Sequence, residues 1–220
     1  MLRGEHLSAL WPLFAFLIAT GLWFGVKAGG DGLLKNPAAP SGIGSLERAG
    51  SVAEASKIIS SWDQKAPDER TRSQMEKPSL LFNLISNDGR VLTSVARRSL
   101  VFDLFFIIFY TTALAVACLL AATEIAIRTR KRTGSRLVRF GLRLAYLQVV
   151  SAAVDVLENV AVWRMLAPST LGLWPILAYF CSIAKLVLVS ISLIYVLLAF
   201  VFWLVDARHT PKRRVKVAPA

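Results

Sequence analysis

The chain is poor in the side chains that usually bind metals or form disulfides. Among its 220 residues are two cysteines and two histidines. Cys118 and Cys181 both lie inside apolar stretches, where cysteine acts as a small packing residue, so neither a disulfide framework nor a cysteine metal site is predicted. His6 and His209 lie outside such stretches, which leaves bis-histidine haem ligation and an intramembrane histidine site unsupported. We therefore predict no cofactor.

Nucleotide-binding and hydrolase motifs are also missing, because the sequence contains no Walker, Rossmann or GxSxG pattern. Acidic residues are scarce: 14 Asp and Glu stand against 26 Lys and Arg, a formal net charge of +12. The basic residues cluster beside apolar stretches, as signals for membrane topology do, so nucleic-acid binding is not predicted. The same clusters are suited to anionic lipid head groups.

Long apolar runs, in contrast, are abundant. Hydrophobic residues make up 55% of the chain, above the ~45–50% of soluble domains. A membrane-spanning helix needs roughly 20 such residues, and four stretches qualify: residues 7–26, 100–127, 142–166 and 171–205. The prediction is an all-α membrane protein with four transmembrane helices. The first stretch is alternatively a secretory signal cleaved near Ala28.

The charge distribution predicts how the helices are oriented. Seven basic residues and no acids lie between residues 128 and 143, and five more basic residues follow the last apolar stretch. The positive-inside rule places residues 128–141 and 206–220 in the cytoplasm. Both termini are then cytoplasmic, and residues 27–99 form an extracytoplasmic loop. We expect a multi-pass protein of a bacterial inner membrane.

The extracytoplasmic loop is predicted to contain one helix. Its first part is rich in glycine and proline, which predicts a flexible linker before about Ile43. Apolar residues then recur at helical spacing over residues 45–62, and Ser51 with Glu54 matches a capping box. Folds of only ~40 residues usually need disulfides or a structural metal to be stable on their own, and neither is predicted here. We therefore expect the apolar side chains of the loop to cap the transmembrane helices or to lie at the lipid interface.

Ionisable side chains inside apolar stretches mark the candidate site, since they are costly in a bilayer. They are Asp103, Asp155, Glu158 and Lys185. Helical spacing puts Asp155, Glu158 and Asn159 on one face of the third predicted span, together with Gln148 and Ser151. Lys185 lies on a similar polar face of the fourth, and Asp103 and Tyr110 are seven residues apart on the second. We expect Lys185 to pair with Asp155 or Glu158.

Three carboxylates and one ammonium leave an excess of negative charge inside the membrane. A proton on one acid, positive charge from Arg97, Arg98 or Arg164, or a bound cation must balance it. The leading hypothesis is therefore a protein that binds or moves an ion or small molecule. In it, Asp155, Glu158 and Asn159 form an oxygen-rich site, Lys185 supplies the counter-charge, and Asp103 with Tyr110 closes the outer side.

Two other interpretations stay open. The polar cluster could serve only to hold helices together, in a structural or accessory subunit of a larger membrane complex. A membrane enzyme that modifies lipids ranks third, because acids and a lysine can transfer protons but no nucleophile or metal triad is recognisable. No catalytic residue is predicted.

Three short motifs resemble one uncharacterised family. They are the run from Ser99 to Phe106 with Tyr110, the string Asp155-Val156-Leu157-Glu158-Asn159, and Ala184-Lys185. Together they resemble small four-helix bacterial integral membrane proteins, over a region from about Ile58 to the end of the last span. The resemblance implies the four-span layout and a shared polar cluster, and it implies no activity.

Overall fold

The protein is a bundle of helices. A computed structural model describes residues 15, 17–22, 25, 32–64, 91–128, 135–167 and 172–209. Apart from the helical residues 15, 17–22, 25 and 32–34, these ranges contain five helices, in the order α1 (Ile43–Glu47), α2 (Val52–Gln64), α3 (Val91–Arg128), α4 (Arg136–Met165) and α5 (Leu173–His209). Within the described ranges, the sole β pairing is an isolated bridge between Asn36 and Ala39.

Within the part of the chain that the structure describes, three helices are long and apolar enough to cross a membrane. The qualifying segments are Leu92–Ile127, Arg136–Met165 and Leu173–Val205. The chain is therefore a membrane-embedded helical protein. The predicted first span, residues 7–26, lies largely outside the described residues. Residues 15, 17–22 and 25 of it are described, and they are helical. This first span, and with it the count of four, stays a prediction.

The helices extend beyond the apolar stretches that predicted them. α3 begins at Val91 rather than at residue 100, because Leu92 and Ala96 continue its buried face. α4 begins at Arg136 rather than at residue 142. There the Ser135 hydroxyl accepts a hydrogen bond of 3.2 Å from the Val138 amide, which stabilises the first turn.

α4 is the central helix, in contact with both α3 and α5 along the bundle, while α3 and α5 contact each other less. The interior has three layers. One apolar cluster fills the end of the bundle that lies next to α1 and α2. We call this end the cap end. A second, containing Cys118, Leu144 and Tyr195, occupies the opposite end, which we call the basic end. Buried polar side chains lie between the two clusters.

Residues 32–64, which we call the cap, pack onto the ends of the transmembrane helices. Leu46 and Trp62 of the cap are buried in one cluster with Leu100 of α3, Val162 of α4 and Ala178 of α5. The Trp62 indole Nε1 also donates a 2.8 Å hydrogen bond to the Leu34 carbonyl. The expectation that the apolar side chains of the loop cap the transmembrane helices is confirmed for residues 32–64.

The flexible linker predicted before Ile43 is wrong for residues 32–42. The side-chain oxygen of Asn36 accepts hydrogen bonds from the amides of Ala38 (2.9 Å) and Ala39 (2.8 Å), and its Nδ2 donates to Ser61 Oγ at 3.0 Å. Gly42 then takes φ 61°, a conformation that favours glycine, as the chain enters α1. The glycine and proline residues thus build a specific turn.

The helix predicted over residues 45–62 is two helices. The Glu54 amide donates to Ser51 Oγ at 3.2 Å, and Glu54 Oε2 accepts from the Gly50 amide at 3.1 Å. This confirms the predicted capping box, although the carboxylate binds one residue earlier than in the standard box. Because a cap of this kind begins a helix, it separates α1 from α2.

A close approach of α4 and α5 stabilises the basic end. A Cβ atom at Gly141 would overlap the hydroxyl and ring carbons of Tyr195. The Tyr195 ring packs edge-on against Phe140, with ring centroids 5.8 Å apart, and its hydroxyl donates to the Leu137 carbonyl at 3.2 Å. Glycine at position 141 therefore permits this contact.

Trp62→Ala should loosen the cap. Removing a fully buried tryptophan costs about 3–5 kcal/mol, so hydrogen exchange in α1 and α2 should become faster. Trp203→Ala, which removes a tryptophan that is 38% exposed at the far end of α5, is the matched control. Unchanged exchange in α1 and α2 of the Trp62 variant would contradict this packing.

Gly141→Ala should destabilise the bundle by about 1–3 kcal/mol, the usual cost of overpacking. Thermal unfolding in detergent measures the effect. Gly21→Ala is the control, because a Cβ at Gly21 meets nothing within 4 Å. If both variants melt like the wild type, Tyr195 does not pack against the α4 backbone.

Candidate functional site

One ammonium group is shared by two buried carboxylates. Lys185 Nζ of α5 lies 2.8 Å from Asp155 Oδ1 and 2.7 Å from Glu158 Oε2 of α4. The two acids are three residues apart, so they lie on the same face of the helix. Their side chains are 3% and 1% exposed, against 20% for Lys185. We call these three residues the ion triad.

Asp155 connects all three long helices. Its Oδ2 accepts a 2.7 Å hydrogen bond from the Tyr110 hydroxyl of α3, while its Oδ1 contacts Lys185. Each carboxylate oxygen of Asp155 therefore has a partner on a different neighbouring helix. Charge-assisted hydrogen bonds of this kind are short and strong.

Asp103 and Asn159 form a separate contact nearer the cap end. Asn159 Nδ2 donates to Asp103 Oδ2 at 2.8 Å, and both residues are buried. Tyr110 lies about 10 Å further along α3 and donates to Asp155 rather than to Asp103. That Asp103 and Tyr110 close the outer side stays a prediction.

A further polar contact lies on the basic-end side of the ion triad. Gln148 Nε2 donates to Ser192 Oγ at 2.7 Å and to the Leu144 carbonyl at 3.2 Å. The Ser192 hydroxyl in turn donates to the Leu188 carbonyl at 2.9 Å. Periodicity placed Gln148 and Ser192 on polar faces but did not show that they meet, which depends on the relative position of α4 and α5.

Three buried oxygens on one face of α4 have no hydrogen-bond partner in the part of the chain that the structure describes. They are Gln148 Oε1, Ser151 Oγ and Glu158 Oε1. Ser151 lies beside the Tyr110 hydroxyl, although the two form no hydrogen bond of standard geometry. Glu158 Oε2 is held by its ion contact with Lys185 alone. Buried polar atoms of this kind need an explanation, which is typically strain, a catalytic role, or a bound water molecule or ion.

The ion triad carries a formal charge of −1, because two carboxylates share one ammonium. Glu47 of α1 also acts electrostatically on Lys185 and Glu158 and adds negative charge at the cap end. Excess charge is expensive in a low-dielectric interior. The sequence analysis did not identify Glu47, because a single acidic residue in an amphipathic helix is typical of a solvent-exposed helix face.

The three arginines considered as sources of positive charge lie on aromatic rings towards the cap end. The guanidinium carbon of Arg97 is 5.8 Å from the Trp163 ring centroid, that of Arg98 is 5.3 Å from Phe102, and that of Arg164 is 5.6 Å from Trp174. Arg97 also donates to the Leu166 carbonyl at 3.3 Å. Arginine on an aromatic face gains a cation–π attraction.

The site has no close parallel that would name its chemistry. Across the described residues, no group of three or more His, Cys, Asp or Glu side chains is arranged to bind a metal ion. Comparison of the chain with protein families, with curated proteins and with solved structures found no match. The resemblance to small four-helix bacterial membrane proteins stays a prediction, and function is argued from the site.

Lys185→Met should be more harmful than removal of all three charges. The single variant leaves two buried carboxylates without a counter-charge, which costs about 3–5 kcal/mol. The triple variant Asp155→Asn, Glu158→Gln, Lys185→Met should melt near or above the wild type in detergent. Lys57→Met, on the exposed face of α2, is the matched control. A triple variant as unstable as Lys185→Met would mean that the charges themselves stabilise the bundle.

Proposed function

We propose that the protein is an ion-handling membrane protein that binds and exchanges a proton at Glu158. The proposal includes the predicted setting, a bacterial inner membrane crossed four times with both termini in the cytoplasm. One observation carries it: Glu158 is fully buried, shares Lys185 with Asp155, and has one oxygen with neither a hydrogen bond nor an ion contact among the described residues.

Charge balance selects Glu158 rather than Asp155 as the proton acceptor. Asp155 is stabilised as a carboxylate by Lys185 and by the Tyr110 hydroxyl. The ionised form of Glu158 is stabilised only by the Lys185 ammonium, which Asp155 also binds. Protonation of Glu158 removes the excess charge of the ion triad and leaves the Asp155–Lys185 pair intact.

The ligand count favours a proton over a divalent metal ion. Ca²⁺ takes six to eight oxygen ligands and Mg²⁺ takes an octahedral set. The ion triad offers the single free oxygen Glu158 Oε1, since both oxygens of Asp155 are engaged. One oxygen is sufficient for a proton.

The surrounding polar side chains support local exchange. Gln148, Ser151, Asp155 and Glu158 form a row along one face of α4, about 15 Å long at ~1.5 Å per residue. Beyond Gln148 and Ser192 lies the apolar cluster of the basic end. At its other end lies the apolar cluster of the cap end, with Glu47 of the cap within electrostatic reach of Glu158. The polar row thus lies between two apolar clusters.

A structural or accessory subunit is the second candidate function. The Asp103–Asn159 and Gln148–Ser192 hydrogen bonds each join two helices, as polar contacts that only hold membrane helices together do. The long apolar side chains of α5, such as Leu186 and Leu198, are exposed and could contact a second protein as well as lipid. Co-purification of a stoichiometric partner would favour this function.

Glu158→Gln should remove the infrared stretching band of a protonated carboxyl group. The band should be present in wild-type protein reconstituted in lipid, rise as the pH is lowered, and be absent from the variant. The substitution keeps the size of the side chain and removes the exchangeable proton.

Glu124→Gln is the matched control, because Glu124 lies on α3 toward the basic end and outside the ion triad. Its spectrum should keep the band. The proposal fails if the Glu158 variant also keeps it, or if wild-type protein shows no protonated carboxyl group at any pH at which it stays folded.

A further inference from the structure

Three arginines line the outer face of α4 at the basic end. Arg136, Arg139 and Arg143 are exposed and follow one another at helical spacing, so they share one face of the helix. Tyr146, which is 77% exposed, and Val150, which is 49% exposed, continue the same face toward the middle of the bundle. The face therefore changes from cationic to aromatic to aliphatic along α4. We call Arg136, Arg139 and Arg143 the arginine stripe.

An exposed tryptophan of α5 lies at the level of the arginine stripe. α5 runs antiparallel to α4, because Tyr195 meets Gly141 while the earlier Lys185 meets the later Asp155. Trp203 follows Tyr195 by about 12 Å of helix, which brings it level with the start of α4. It is 38% exposed, and tryptophan is enriched at the level of lipid head groups. The arginine stripe therefore lies at that level as well.

The length and direction of the arginine stripe suit lipid head groups. Arg136 and Arg143 are about 10 Å apart along α4, and the head-group region of one leaflet is roughly 5–8 Å thick. Side chains on a helix tilt toward its N-terminus, which for α4 lies at the basic end. The Arg143 guanidinium is thus directed out of the hydrocarbon and toward the head groups, while its stem contacts the apolar layer.

Uncompensated charge in the arginine stripe favours an anionic occupant. Among the described residues, none forms an ion pair or a side-chain hydrogen bond with these three guanidinium groups. Arg139 and Arg143 are four residues apart, a spacing at which like charges destabilise a helix. An anionic phosphate beside them relieves this repulsion. A zwitterionic head group does so less, because it carries a cation of its own.

We propose that the arginine stripe binds anionic phospholipids of the leaflet that surrounds the basic end, with their acyl chains along Tyr146 and Val150. Arginine binds phosphate with several hydrogen-bond donors in a fixed geometry. An acidic protein matches the charge of the stripe but not the aromatic and aliphatic continuation of the same face, whereas a phospholipid matches both. This inference does not depend on proton binding at Glu158.

Native mass spectrometry of the full chain tests the inference. The protein is exchanged into detergent with equal amounts of phosphatidylglycerol and phosphatidylcholine that carry identical acyl chains. Wild-type protein should retain phosphatidylglycerol in preference. Arg139→Gln should lower that preference about fivefold, the effect expected of one basic residue near an anionic lipid surface. The triple variant Arg136→Gln, Arg139→Gln, Arg143→Gln should have no preference, and the corresponding triple lysine variant should keep most of it.

A charge-matched control separates the arginine stripe from the net charge of the protein. Lys35→Gln, Arg48→Gln, Lys57→Gln removes three exposed charges from the cap and should keep the preference. Equal loss in this control overturns the inference, and so does an unchanged preference in the triple glutamine variant.

The wild-type protein alone provides a second test. Its preference should fall as the salt concentration rises from about 0.1 M to about 1 M, because salt screens exposed charges. Equal retention of both lipids, or a preference that salt does not change, overturns the inference even if the triple glutamine variant fails to fold.

Discussion

The shared ion pair of Lys185 constrains the rest of the bundle. A charge in a membrane interior must be paired, and here α5 supplies one ammonium to two acids of α4. Asp155 in turn accepts a hydrogen bond from Tyr110 of α3. A rotation of any of the three helices, or a shift by one residue, would separate a buried charge from its partner. The ion triad therefore sets both the rotation and the axial position of the helices.

Apolar packing encloses this polar layer at both ends of the bundle. Toward one end, Trp62 and Leu46 of the cap pack onto all three long helices. Toward the other, Tyr195 lies against the bare backbone of Gly141. In lipid the hydrophobic effect does not drive helices together, so close packing and interhelical hydrogen bonds must do so. The two apolar clusters and the polar layer consequently depend on one another.

Glu158 and Asn159 are adjacent in α4 but contact different helices. Glu158 contacts Lys185 of α5, while Asn159 donates a hydrogen bond to Asp103 of α3. A low-dielectric environment is what makes the excess charge at Glu158 costly. The cap, which packs over one end of the bundle, helps to maintain that environment.

Local sequence patterns determined the class of protein and the composition of the site. Runs of apolar residues are sufficient to identify spanning helices, and a period of 3.6 residues places Asp155, Glu158 and Asn159 on one face, because both properties belong to a single helix. The capping box at Ser51 is equally local. Only the tertiary structure decided that Lys185 binds both acids, that Tyr110 binds Asp155, and that Asn159 binds Asp103. These contacts depend on how separate helices rotate, slide and fold back on one another, and no segment encodes that by itself.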